Sequence, residues 1–174
     1  VLALIRENDR FFITTHLGAD GDALGSQLAL GRFLQRLGKS VAMVNSDEHD
    51  YTLDWMPGAE QVEVYDGDLA QQQALAEADV AFVLDTNDEE RVGKVGALVK
   101  DATATTVLID HHLNPERWFD VLFVRDTAAA TGELLYELID GIDPALLAEA
   151  LSTALYTAIL TDTVPFPYRI FPPG

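Results

Sequence analysis

Three short apolar runs in this chain each give way abruptly to acids and histidines. Phe11-Phe12-Ile13-Thr14-Thr15 leads into His16-Leu17-Gly18-Ala19-Asp20-Gly21-Asp22, Val80-Ala81-Phe82-Val83-Leu84 into Asp85, and Thr106-Val107-Leu108-Ile109 into Asp110-His111-His112. Runs rich in Val, Ile and Phe without polar alternation, interleaved with segments of helical periodicity, are the mark of buried parallel strands. The expected fold class is therefore α/β, a Rossmann-like, mostly parallel sheet flanked by helices. In an open sheet of this kind ligands bind beyond the carboxyl ends of the strands, so all three clusters are delivered to one rim. A fourth acid, Asp162 in Thr161-Asp162-Thr163, closes a long apolar helical pattern. A carboxylate there faces the negative end of the helix dipole and costs stability unless something positive sits nearby.

The remaining pattern fills in the frame. A helix end is expected near residues 2–8. Leu24, Leu28, Phe33, Leu34 and Leu37 recur at helical spacing, with Gly38 as the stop. Ser40 to Asn45 reads as the next strand, completing a βαβ unit. A short helix is expected between Glu48 and the Pro57-Gly58 break, a short strand from Val62 to Tyr65, a polar helix through Gln71-Gln72-Gln73, and a helix from Val92 to Lys100. Val121 to Val124 makes a last strand, and helices from Thr131 to Ile139 and from Pro144 to Leu160 follow, the second with proline in its first turn. Residues 1–163 are expected to form one domain, and 164–174 a proline-rich tail unsuited to helix or central strand.

Composition narrows the chemistry. At 174 residues and 48% hydrophobic content the chain can bury one core of ordinary size. It has no cysteine, which removes disulfides, thiolate ligands and cysteine nucleophiles and leaves His and carboxylates for metal chemistry; a cytoplasmic location fits this. No apolar stretch reaches the roughly 18 residues of a membrane span, so a soluble protein with no membrane partner is expected. The net charge of −18, from 29 acidic against 11 basic residues, repels long duplex nucleic acid and favours a small or short anionic substrate held through cations. Such a surface also fits adaptation to high salt.

Taken singly, each site candidate has an ordinary explanation. Either Asp20 or Asp22, but not both, serves as the N-cap of the helix that follows. Asp85 before Thr86-Asn87 suits an Asx turn. Neighbouring residues on extended chain point opposite ways, so one of His111 and His112 ligates while the other faces substrate. His49, in Asp47-Glu48-His49-Asp50, reads as surface. The joint placement of the others at strand ends is what turns them into a candidate metal site.

These residues resemble the four signature motifs of the DHH phosphoesterase family, which includes the RecJ-like exonucleases. His16-Leu17-Gly18-Ala19-Asp20-Gly21-Asp22 resembles its His-x-x-x-Asp-x-Asp motif, Asp85 with Arg91 the second, Asp110-His111-His112 the namesake, and Thr161-Asp162-Thr163 the fourth. Asp20 to Ser26, His111 to Pro115 and Ala129-Ala130-Thr131-Gly132-Glu133 look most like the branch of nanoRNases, oligoribonucleases that also act on 3′-phosphoadenosine 5′-phosphate. The resemblance implies a hydrolase of short oligonucleotides or 3′-phosphoadenosine 5′-phosphate with two Mn²⁺ ions, Mg²⁺ or Co²⁺ being possible substitutes; relatives act instead on cyclic dinucleotides, pyrophosphate or polyphosphate. It implies that His16, Asp20 and Asp85 hold one ion and Asp22, Asp85, His111 and Asp162 the other, with Asp85 bridging. His112 then faces the scissile phosphate, Asp110 orients a histidine, and Arg91 supports the site or the phosphate. Carboxylate and imidazole ligands suit Mn²⁺, and paired ions about 3.5–4 Å apart stabilise both oxygens of an in-line displacement. A non-catalytic metal- or nucleotide-binding module is the rival expectation, and a homodimer is compatible with either. Two departures stand out: Val164 and Pro165 follow Thr163 where the family usually has Gly, and nothing here resembles the family's glycine-rich C-terminal substrate domain. The tail 164–174 is thus the expected truncation point before such a domain.

Overall fold

A computed structural model of the chain describes residues 1–142, 147 and 149–163. Six parallel strands form one sheet in the order β3-β2-β1-β4-β5-β6: β1 (Arg10–Thr15), β2 (Ser40–Asn45), β3 (Val62–Val64), β4 (Val80–Leu84), β5 (Thr105–Asp110) and β6 (Val121–Val124). Chain direction across the sheet reverses between β1 and β4, whose Thr15 and Leu84 are register partners at the carboxyl rim. That junction is the topological switch point at which open α/β sheets bind ligands.

Strand alternation divides the core between two faces. Phe11, Ile13, Phe82, Leu84, Val107 and Ile109 pack on one, and Phe12, Ala81, Val83 and Leu108 on the other. Helix α1 (Leu2–Glu7) contributes its buried Ile5 to the first face. That face also receives α2 (Gly21–Arg36), α6 (Thr131–Asp140) and α7 (Glu149–Thr163). The second face is covered by α3 (Leu69–Ala76) and by α4 (Glu89–Val92) with α5 (Lys94–Lys100). Leu24, Leu28, Leu30, Phe33 and Leu34 of α2 are fully buried, each contributing about 1.5–3 kcal/mol of transfer free energy. Contact between α2 and α7 depends on small residues: a Cβ on Gly25 would stand 2.6 Å from the Ala154 carbonyl oxygen and 3.0 Å from Ala158 Cβ. Among the described residues no helix is long and apolar enough to cross a membrane.

The expected elements appear with three corrections. In place of one short helix within the stretch from Glu48 to Glu60 there are two 3-10 turns, Tyr51–Leu53 and Ala59–Gln61. Asp50 caps the first by accepting from the Thr52 N–H, and Gly58, at φ 92°, introduces the second in a left-handed conformation. The expected helix from Val92 to Lys100 is split, because Gly93 at φ 69° ends α4 and starts α5. The last helix runs on to Thr163, so Asp162 lies in its final turn; Pro144 and the tail 164–174 fall outside the described residues.

Candidate metal centre

Each acid reaches the rim by a different local device. His16 follows β1 directly. Asp20 is the N-cap of α2, its Oδ1 accepting from the N–H groups of Asp22 and Ala23 at 3.0 and 3.1 Å, which settles which of the two acids caps. Asp22, in the first turn of α2, is 1% exposed and points across to the start of α6. Asp85 follows β4 with φ 59°, a left-handed conformation that costs a non-glycine residue about 1–3 kcal/mol and is tolerated best by Asn and Asp. Asp110 ends β5, and Asp162 enters from α7.

These side chains converge in overlapping triads. Donor atoms of His16, Asp20 and Asp85 lie within 4.8 Å of one another, as do those of Asp22, His111 and Asp162, and those of Asp85, His111 and His112. Asp85 turns its two oxygens to opposite sides: Oδ2 is 3.6 Å from His16 Nε2, and Oδ1 is 3.5 Å from His111 Nε2. His111 Nε2 also lies 3.8 Å from Asp22 and 3.6 Å from Asp162. These separations are too long for good hydrogen bonds, so the donors face one another without satisfying one another.

The outer groups fix which atoms face inward. His16 Nδ1 lies 2.8 Å from the Leu17 carbonyl oxygen and His111 Nδ1 3.4 Å from that of Ala128. With Nδ1–H donated outward, the Nε2 lone pair of each ring is left for a cation. His112 is held differently, with Nδ1 2.7 Å from Asp110 Oδ1, and its side chain is 35% exposed. Asp110 is fully buried, and its Oδ2 has no hydrogen-bond partner among the described residues. Thr131, part of the Ala129-Ala130-Thr131-Gly132-Glu133 motif, donates from Oγ1 to Asp85 at 2.9 Å and from its N–H to Asp22 at 2.7 Å; Gly132 N–H reaches Asp22 at 2.9 Å. No sequence signal tied Thr131 to those acids, which lie 109 and 46 residues away.

Arg91 stands apart from the cluster. Its exposed guanidinium makes no hydrogen bond or ion pair among the described residues, while its carbonyl accepts from Leu17 N–H at 2.6 Å, fastening α4 to the loop after His16. His49 pairs with Asp54 at 3.1 Å.

Electrostatics mark the cluster as short of positive charge. Burial, reinforced by the Asp85 and Asp162 carboxylates and opposed by the Gly132 and Thr131 N–H groups, pushes the Asp22 carboxyl up to about 8. Burial also raises Asp162, with Asp85 and Asp20 adding and His111 and His112 opposing. For His16 burial works downward, but Asp85, the Leu17 carbonyl and Asp20 outweigh it and the ring is raised. A site where burial and neighbouring carboxylates make the charged forms of Asp22 and Asp162 costly, ringed by nitrogen and oxygen donors, fits hard or borderline divalent cations.

Residues 10–159 match the DHH family, N-terminal domain. The chain belongs to the DHH family. Over 152 residues this DHH domain is 34% identical to the bifunctional oligoribonuclease and PAP phosphatase NrnA of Thermus thermophilus, covering 87% of this chain and 43% of that protein. It is 27% identical over 159 residues to the protein of the same description from Bacillus subtilis, covering 89% of this chain and 46% of the relative. It thus spans under half the length of either. The crystal structure of an exopolyphosphatase-related protein from Bacteroides fragilis superposes with a TM-score of 0.88 at 29% identity, over 92% of this chain and 48% of that one. The DHH domain fold expected from the sequence is the fold observed.

Proposed function

We propose that this domain is the catalytic part of a Mn²⁺-dependent phosphoesterase acting on short oligonucleotides or on 3′-phosphoadenosine 5′-phosphate. The observation that carries this reading is Asp85, whose two oxygens face two separate sets of ligand atoms. His16, Asp20 and Asp85 would hold one divalent ion, and Asp22, His111, Asp162 and Asp85 the second. Two such ions supply an activated water and charge stabilisation for displacement at phosphorus. The chain's own groups do the rest. His112, half-open and steered by Asp110, presents Nε2–H to a phosphate oxygen when its ring is an imidazolium, as hydrogen-bond donor and proton source. The Arg91 guanidinium, unpaired among the described residues, is available to a substrate phosphate. Similarity to proteins described as oligoribonuclease and PAP phosphatase supports the substrate class; similarity to a cyclic-di-AMP phosphodiesterase of Listeria monocytogenes, 26% identical over 178 residues and covering 95% of this chain and 26% of that protein, supports phosphodiester chemistry more broadly.

The test is Mn²⁺-dependent product release from a short RNA, 3′-phosphoadenosine 5′-phosphate, a cyclic dinucleotide and pyrophosphate, with Asp85→Asn as control because Asn accepts the left-handed backbone at this position. Turnover of either of the first two, falling to background in the variant, is expected. A chain that binds Mn²⁺ yet releases nothing from any substrate is a binding module, and the phosphoesterase reading then fails. Turnover confined to the cyclic dinucleotide or to pyrophosphate would reassign the substrate.

A further inference from the structure

We propose that Thr131 is a positioning residue that locks the rotation of the Asp85 carboxylate and, with Gly132, anchors Asp22, so that both sets of ligands are preformed before any ion arrives. This rests on the metal reading above and adds to it the element that organises the centre, the first turn of α6. Thr131 is fully buried. As the first helical residue it follows Ala130, which offers no side-chain cap, and its hydroxyl bonds to Asp85, directly after β4. A carboxylate turns about a broad, two-fold torsion. The donor fixed on Oδ1 therefore decides that Oδ2 is left for the His16 side. Asp22 takes two backbone N–H groups, one on each oxygen, from Thr131 and Gly132. Glycine is required at 132: a Cβ there would lie 2.6 Å from Ala158 Cβ and 3.4 Å from Asp22 Oδ1. The Thr131-Gly132 pair thereby ties α6 to α2, to β4 and to α7, three elements that carry Asp22, Asp85 and Asp162.

The experiment titrates Mn²⁺ into the metal-free chain by calorimetry, alongside melting of each metal-free form. Thr131→Val keeps shape and backbone N–H but removes the hydroxyl, Thr131→Ala removes it with less bulk, and Thr131→Ser restores it. Support of this kind for a ligand is worth about 10–100-fold in metal affinity, and that loss is expected in the Val and Ala variants. Recovery is expected in the Ser variant, with metal-free melting close to the parent throughout. Parent-like Mn²⁺ affinity in Thr131→Val overturns the proposal. So does Thr131→Ser binding as weakly as Thr131→Val, since the methyl group would then carry the effect. Unfolding of both hydroxyl-free variants beside a sound Ser variant assigns Thr131 to stability and overturns it too. A parent chain that binds no Mn²⁺ sinks the functional reading instead, and is recognisable as such because no variant is needed to see it.

Discussion

The two rims of the sheet treat aspartate in opposite ways. At the amino rim, Asp79 accepts from the backbone N–H groups of Arg10 and Asp9 and from the Arg10 guanidinium, and Asp120 accepts from Thr106 N–H and Oγ1. Those donors hold both carboxyls below the usual range. At the carboxyl rim Asp22 and Asp162 are raised instead, because buried like charges meet there with too few donors. The amino rim uses acids to join strands and is complete by itself. The carboxyl rim carries an electrostatic cost that a bound proton or an added cation relieves.

The largest break in this contrast should come from Asp22→Asn. With a folded pKa near 8 against roughly 3.9 unfolded, the native metal-free chain binds the extra proton between those values. Stability therefore falls as pH rises through that window, by up to about 1.4 kcal/mol per pH unit. Asp162 and His16, both raised, act in the same sense. Chemical denaturation of the metal-free chain between pH 4 and pH 8 should show this decline, and Asp22→Asn should flatten it while abolishing stabilisation by Mn²⁺; a parent profile that is level or rising contradicts the account. Asp79→Asn should act the other way and more weakly. Its lowered pKa gives stability present above the unfolded value and lost as pH falls through the folded one. The variant should cost about 1 kcal/mol at pH 7 and less as the pH falls below the ordinary carboxylate range, and equal cost throughout would remove the amino-rim explanation. Smallest and least local is salt. With a net charge of −18, raising KCl from low to molar concentration should lift the melting temperature by screening repulsion over the whole surface; a flat curve would discard adaptation to high salt.

Much of this rim was legible because strand ends are local features. Leu84 before Asp85 and Ile109 before Asp110 mark where the apolar runs give way to acids, and in a parallel sheet that point has a fixed address. Asp20 and Asp22 were harder to tell apart, since capping depends on one residue of helix phase. Thr131 was invisible as a partner of Asp22 and Asp85, for a hydrogen bond between α6 and β4 leaves no periodicity in either. Gly93 looked like part of a helix because Val92, Val95 and Val99 keep helical spacing across it; its positive φ breaks the backbone without disturbing the apolar face.

The packing of α2 against α7 also governs when this domain can exist during synthesis. The apolar flank of α2, complete at Arg36, is covered by a helix that begins roughly 110 residues later. At about 5–20 residues per second the ribosome takes on the order of 5–20 s to deliver that cover. Until then the flank of α2 at Gly25 lacks the Ala154 and Ala158 segment that covers it. An α/β sheet grown strand by strand must here wait for its last helix, and nascent chains halted short of α7 should remain sensitive to protease and bound by chaperones.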